Sequence, residues 1–400
     1  MSHLSYMEKL LDGVDVEWLP LKEVLVRTKG TKITAGQMKV LHKDGAPLKI
    51  FAGGKTVAFV DFNDIPEKDV NREPSIIVKS RGVIEFEYYE KPFSHKSEMW
   101  SYYSDNDAIH IKFIYHFLKL HERHFQGIGS RMQMPQIATP DTDKFLVPIP
   151  CPDNPKKSLA IQAEIVRILD AFTAMTAELT AELNLRKKQY NYYRDQLLSF
   201  EEGEVEWKTL EEVAYFSNGK GHEKDISEDG KYIVVNSKFI STDGGIAKFS
   251  NSQICPLFKD DILIVMSDLP NGKALSKTFI VEEDDKYTLN QRIGGITVKK
   301  NKELLPKFLH YFLNRTPQLL KHDNGVDQTN LRKGQILEVK VPMISPIKQA
   351  QIVEILDKFD TYTKSITEGL PREIELRQKQ YEYYRDLLLR FPKPDAEEVA

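Results

Sequence analysis

The feature that most constrains this chain is that it contains itself twice. Residues 185–200 read LRKKQYNYYRDQLLSF and residues 376–391 read LRQKQYEYYRDLLLRF, identical at twelve of sixteen positions. Upstream of each, QAEIVRILDAF from Gln162 returns as QAQIVEILDKF from Gln349, and VEWLPLKEV from Val16 returns as VEWKTLEEV from Val205. A period of about 190 residues is a repeated half-protein, not a short stacking unit, so the fold must use one frame twice. Fainter echoes continue inside: FIYHFLK from Phe113 against FLHYFLN from Phe308, and Val-Pro at 147–148 against Val-Pro at 341–342. The opening SYMEKLLDGVDVEW is a shortened YYRDQLLSFEEGEVEW. The chain therefore starts with the end of its own pattern, which makes the arrangement circular and pseudo-twofold.

The repeated segments have helical periodicity. Ile161, Ile165, Ile168, Phe172, Met175, Leu179, Leu183, Arg186, Tyr190, Tyr193 and Leu197 step by three and four, as a coiled-coil seam does. One extra four-residue step falls on a tandem TAEL, Thr176 to Leu179 and then Thr180 to Leu183, and is a stutter in the heptad pattern. The second segment runs from Ile352 through Leu388 and is interrupted at Gly369-Leu370-Pro371, where Pro371 should kink or break it. Each segment spans roughly 60 Å at 1.5 Å per residue and cannot bury its seam alone. The two are expected to pair antiparallel.

Between the helices lie dissimilar stretches, such as KIFAGGKTVAFV in the first half and YIVVNSKFI in the second, which read as short strands divided by polar turns. The expected fold is α+β: two pseudo-repeated α/β inserts joined by two long antiparallel helices in a coiled coil. The expected divisions are 1–155 for the N-terminal helix and first insert, 156–200 for the central helix, 201–345 for the second insert, 346–391 for the C-terminal helix and 392–400 for a tail.

Charge and chemistry narrow the function. With 56 Lys and Arg against 59 Asp and Glu, the net charge of −3 gives no global pull toward nucleic acid, so any such face is local. Two cysteines, Cys151 and Cys255, suit a reducing compartment and are expected to be buried or half-buried bystanders. No signal peptide or long apolar run is present, which points to a soluble, cytoplasmic protein without a membrane partner. Phe125-Gln126-Gly127-Ile128-Gly129 matches the F-x-G-x-G loop of S-adenosylmethionine enzymes, but the preceding residues look helical rather than strand-like, so a helix-exit glycine loop is expected. Neither an Asp-Pro-Pro-Tyr nor an Asn-Pro-Pro-Tyr adenine clamp occurs, nor a G-x-x-x-x-G-K-[ST] phosphate loop. His121-Glu122-Arg123-His124 falls one residue short of H-E-x-x-H and reads as a solvated helix end.

The repeated LRKKQYxYYRDxLLSF helix, the tandem TAEL, PIPCPDNPKKSLAIQ from Pro148 and the terminal LDKFDTYTKSITEGLPREIELRQKQYEYYRDLLL together resemble the specificity subunit of type I restriction-modification systems, most closely its IC subclass. The likeness covers about 150 residues of frame and the inserts only in outline. It implies two target recognition domains, each reading half of a split, asymmetric site in double-stranded DNA. It further implies helices that set the unread gap and dock two methyltransferase subunits, to which endonuclease-translocase subunits add. The chain itself would carry no catalytic, cofactor or metal residue; S-adenosylmethionine, ATP and Mg would belong to the partners. A coiled-coil scaffold or tether whose inserts bind proteins is the alternative.

Base reading needs Arg, Lys, Asn, Gln and Ser at groove edges. In the first half such residues cluster at Gly54-Lys55, Lys79-Ser80-Arg81, His95-Lys96-Ser97 and in the 130–133 turn with Arg131 and Gln133. In the second they cluster at Asn236-Ser237-Lys238, around Lys273, at Asn290-Gln291-Arg292, and at Gln328 and Asn330. Thr176, Leu179, Thr180, Leu183 and Pro371 are the residues expected to set the length and shape of the spacer.

Overall fold

The computed structural model describes residues 10, 13–130, 133–201, 203–222, 224–269, 272–365 and 367–392. Two compact units divide it: residues 1–180 with 373–400, and residues 181–372. Each unit holds one insert, the first part of the long helix that follows it, and part of the other long helix.

The inserts share a topology that their sequences conceal. In the first, an antiparallel sheet runs in the order Val26–Lys29, Trp100–Tyr103, Ser75–Lys79, Glu85–Tyr89. In the second the order is Ala214–Asn218, Ile293–Val298, Ile262–Val265, Thr278–Ile280. A second sheet places Leu48–Phe51 between antiparallel Val57–Val60 and parallel Phe93–His95. Its counterpart places Tyr232–Val235 between antiparallel Lys248–Ser250 and parallel Tyr287–Leu289. A two-stranded ribbon closes each insert, Val16–Pro20 with Leu146–Pro150 and Glu206–Thr209 with Lys340–Met343. The central strands SIIVK and ILIV are buried along their whole length, as unbroken apolar runs require.

Helix α1, Pro155–Leu197, is continuous over 43 residues. Its first part belongs to the first core, where Ile161, Ile165 and Leu169 are buried with Leu388, Leu389 and Phe391. Its last part belongs to the second core, where Tyr190 is buried with Ile352 and Leu356. Helix α2 spans Pro346–Lys364 and α3 spans Gly369–Leu388. In the first unit Phe172 stacks on Tyr384 with ring centres 5.1 Å apart, and in the second Tyr193 stacks on Phe359 at 5.8 Å. These are the same two repeat positions with roles exchanged, and they mark antiparallel pairing in each unit. The Trp18 indole donates to the Pro392 carbonyl at 2.8 Å, joining the first strand of the first insert to the segment that follows α3, in keeping with the circular pattern. The N-terminal helix expected over the opening SYMEKLLDG segment lies largely outside the described residues.

Two expectations about the helices need correction. The break lies upstream of Pro371: α2 ends at Lys364, and Pro371 stands in the first turn of α3, where a missing N–H costs nothing. Gly369 starts that helix at φ +77°, and a Cβ there would fall 2.6 Å from the Thr361 carbonyl oxygen, so the junction requires glycine. The seam is also not sealed along its length. Met175 is 40% exposed, and Leu179 and Leu183 are only half-buried. The Thr176 and Thr180 hydroxyls donate to the carbonyls of Phe172 and Thr176 on their own helix.

Repeated polar clamps fix each insert to the frame. The Gln162 and Gln349 side chains are fully buried. The Gln162 amide accepts from His110 N and donates to the Ala108 carbonyl, at 2.9 and 3.1 Å. Gln349 accepts from Leu305 N at 2.7 Å and donates to the carbonyls of Glu303 and Ile344. One turn pair further on, Asp170 holds Lys112 at 2.8 Å and His116 at 3.1 Å, while Asp357 holds Lys307 at 2.8 Å and the Tyr311 hydroxyl at 2.6 Å.

Candidate DNA interface

The matched topology reduces the eight candidate turns to four positions, each occupied once per insert. The first follows the central strand of the mixed sheet: Gly54-Lys55 after Leu48–Phe51, and Asn236-Ser237-Lys238 after Tyr232–Val235. Asn236 Oδ1 accepts from Phe239 N at 2.9 Å, so this residue caps a short helix instead of facing solvent freely. Lys55 and Lys238 are both exposed.

The second and fourth positions meet each other. Ile137 N donates to the Ser80 carbonyl at 3.0 Å and Arg81 bridges Gln136; equivalently, Leu331 N donates to the Met266 carbonyl at 2.7 Å and Ser267 pairs with Asn330. Arg81 of the first insert thus matches Ser267 of the second, and Gln136 matches Asn330. Gln133 is exposed nearby, whereas Arg131 lies outside the described residues. Gln328 is exposed and its amide donates to Ser267 Oγ at 2.8 Å.

The third position follows the parallel strand. Lys96 N donates to the Phe51 carbonyl at 2.9 Å and Asn290 N to the Val235 carbonyl at 3.2 Å, so Lys96-Ser97-Glu98 corresponds to Asn290-Gln291-Arg292. The Lys96 ammonium sits 2.6 Å from Glu98. Burial opposes ionisation of that carboxyl, but Lys96, a backbone amide and the nearby Arg81 charge outweigh it and hold Glu98 below its ordinary range. In the second insert Arg292 stands where Glu98 stands in the first, and it is exposed. The two inserts therefore present different charges from the same scaffold.

Two first-insert candidates, Lys79 and Ser80, are buried. Lys79 is not in a turn: it ends the strand Ser75–Lys79 with its side chain only 6% exposed, held by Glu85 and, at 2.8 Å, by Glu87. Burial alone would lower its pKa, but the two carboxylates raise it above the ordinary lysine value. Ser80 is buried too, its hydroxyl donating to the Glu98 carbonyl at 2.6 Å. Neither can reach a base edge, because both complete the strand that supports Arg81. His95 is likewise a buried strand residue; desolvation, opposed by the Lys96 carbonyl and by Asp69 and Glu98, lowers its pKa to about 4. The F-x-G-x-G stretch is not a helix-exit loop either. Gly127 and Gly129 lie within the helix Glu122–Gly129, and a Cβ on Gly129 would strike Ile84. In the HERH stretch, Glu122 is engaged by Phe86 N at 2.9 Å and Lys119 at 2.7 Å, while Arg123 and His124 are exposed. Cys151 and Cys255 are half-buried and free.

Sequence reasoning passed over three residues that shape these positions. Gly30 and Gly219 sit at equivalent places, where a Cβ would fall 2.3 Å from the Lys96 oxygen and 2.0 Å from the Asn290 oxygen. Their polar surroundings, TKGTK and SNGKG, were the available signal. Asp268 accepts from the amides of Leu269, Ala274 and Leu275 and so arranges the loop bearing Lys273. In the second unit, Ser237, Lys238, Lys273, Arg292 and Gln328 line one open cleft of about 1570 Å³. Five candidates from four separate turns thus share a single basic hollow.

The family model for the type I restriction modification DNA specificity domain matches residues 20–186 and again residues 202–376. The chain belongs to this family of type I specificity subunits. The specificity subunit of the Escherichia coli type I restriction enzyme EcoR124I/EcoR124II is 40% identical over 99% of both chains, and that of E. coli EcoprrI is 32% identical over 92% of this chain and 93% of its own. The fold matches the crystal structure of a type I restriction-modification S subunit from M. genitalium with TM-score 0.59 at 17% identity, covering 96% of this chain and 98% of that one. A specificity subunit is the non-catalytic DNA-recognition component of its system, and membership of the family decides against a protein-tethering scaffold. Among the described residues, no cluster of His, Cys, Asp and Glu could hold a metal and no helix is long and apolar enough to cross a membrane.

Proposed function

We propose that the two inserts of this specificity subunit read the two halves of an asymmetric, interrupted DNA sequence, and that α1 with α2 and α3 sets the unread gap. One observation carries this reading: two of the four matched positions differ in charge, Arg81 against Ser267 and Glu98 against Arg292, on strands of identical order. Two alike surfaces would read a palindrome; these present different donors and acceptors. The helices also dock two methyltransferase subunits, to which endonuclease-translocase subunits add. S-adenosylmethionine serves the methyltransferase subunits, and ATP with Mg the translocase. The system works in the cytoplasm, and the tandem TAEL supports the IC subclass. A net charge of −3 makes the free chain a weak DNA binder, with partners supplying much of the phosphate grip.

Gel shifts on a random-sequence duplex library, with and without the methyltransferase subunit, followed by methylation mapping, test this directly. The expected site is split and non-palindromic. Arg81→Ala relaxes one half-site and Arg292→Ala the other, each by about 1–3 kcal/mol of base discrimination, with assembly intact. A palindromic or continuous site, or two assembled variants that methylate the original sequence unchanged, refutes the assignment.

A further inference from the structure

The repeated helix differs between its two copies at only four of sixteen positions: Lys187 against Gln378, Asn191 against Glu382, Gln196 against Leu387, and Ser199 against Arg390. A segment serving only as common frame has no reason to concentrate its differences on one face. Yet Lys187, Asn191 and Ser199 all line the cleft that holds Lys238, Lys273 and Arg292. Three of the four differing positions face it, against three of the twelve identical ones, which are Arg194, Asp195 and Leu198. The identical pair is internally satisfied: Arg194 binds Asp195 at 2.6 Å, and its copy Arg385 binds Asp386 at 2.7 Å. Lys187 is exposed and has no ion pair among the described residues. The cleft's two carboxylates, Asp195 paired with Arg194 and Asp268 held by backbone amides, are outnumbered by Lys187, Lys238, Lys273, Arg292 and Arg315, so the lining stays positive.

From Lys187 to Leu198 this face runs about 16 Å at 1.5 Å per residue, which matches roughly five base pairs at 3.4 Å each. Resting on the reading that the second insert binds DNA, we propose that this face of α1 belongs to the second half-site's DNA contact, with Lys187 on a backbone phosphate and Asn191 and Ser199 as polar contacts beside it. The helix is then a wall of the recognition cleft as well as a spacer. Its copy in the first unit, with Gln378 and Glu382 at these positions and an exposed Arg390 in place of Ser199, lacks the Lys187 phosphate contact.

The test uses the complex of this chain with its methyltransferase subunits and a duplex bearing the mapped site, titrated across a salt series. Lys187→Gln, which installs the residue of the other copy, is expected to lower the slope of log K against log salt by about 0.9, the loss of one phosphate contact, with both half-site sequences retained. Lys188→Gln removes the same charge from the neighbouring exposed residue outside the cleft and should leave the slope unchanged. A wild-type slope for Lys187→Gln, an equal drop for Lys188→Gln, or failure of Lys187→Gln to assemble by analytical ultracentrifugation overturns the proposal. Arg292→Ala reports on the underlying reading separately. Weakened binding there with Lys187→Gln unaffected leaves the insert as reader and removes the helix; no effect from either variant removes the second insert as a DNA reader.

Discussion

Inserting one more TAEL after Leu183 tests whether α1 is the ruler. The insertion point lies in a stretch where Leu179 and Leu183 are half-buried and the threonine hydroxyls bond to their own helix, so no sealed core has to be rebuilt. Four residues lengthen the helix by about 6 Å and advance it about 400°, some 40° beyond a full turn. The downstream seam therefore keeps nearly the same face, and the Tyr193–Phe359 stack and the buried Tyr190 retain their partners. One base pair rotates DNA by about 35° and advances it about 3.4 Å; two advance it about 7 Å but rotate it about 70°. The angular match favours one added base pair, and the axial match permits at most two. An insertion of two residues instead turns the seam by about 200°, exposing Tyr190 and Leu197, and should abolish assembly. Methylation mapping of the four-residue variant, with assembly checked by analytical ultracentrifugation, gives the answer. Unchanged half-sites with the gap longer by one or two base pairs is the expected result. An unchanged gap, or altered half-site letters, refutes the ruler.

The frame was legible because its information is duplicated: a helix written twice at twelve of sixteen positions announces both its period and its partner. The insert topology was not, because strand order depends on which apolar runs meet. SIIVK and ILIV give the same local signal wherever they pair. The candidate site was half legible. Polar turns next to strands brought Lys238, Lys273 and Arg292 to one cleft of the second insert and Arg81 beside Glu98 in the first, and these remain the proposed readers. Composition does not tell a turn from a strand end, so Lys79 resembles a reader although Glu85 and Glu87, six and eight residues on, are positioned by the adjoining antiparallel strand to hold it inside. Gly30 and Gly219 escaped notice because a glycine required by close backbone approach looks the same in sequence as one in an ordinary loop. The helix break moved for a related reason. Proline forbids a preceding helical turn, yet it is welcome in the first turn of a new helix, and which case holds is decided by whether the residues before it stay helical.

Two further predictions concern stability. Gln349→Leu keeps the volume but orphans the Leu305 amide and two carbonyls, at about 1–3 kcal/mol per buried group, so thermal unfolding of the assembled protein should show the second unit destabilised by roughly 3 kcal/mol; Gln162→Leu should do the same to the first, and a loss under about 1 kcal/mol would show that the clamps are dispensable. The last concerns pH. His95 is fully buried and neutral, with its pKa lowered by desolvation to about 4, against about 6.5 in the unfolded chain. Above pH 6.5 neither state binds the proton and nothing is lost. Between pH 6.5 and 4 only the unfolded chain binds it, so folding loses up to about 1.4 kcal/mol per pH unit, on the order of 3 kcal/mol by pH 4. His95→Gln has no proton to take up, and its stability curve should converge on the wild-type curve as pH falls through that window. Curves that stay parallel from pH 7 to 4 would show that His95 titrates alike in both states, and the desolvation argument for this strand would fail.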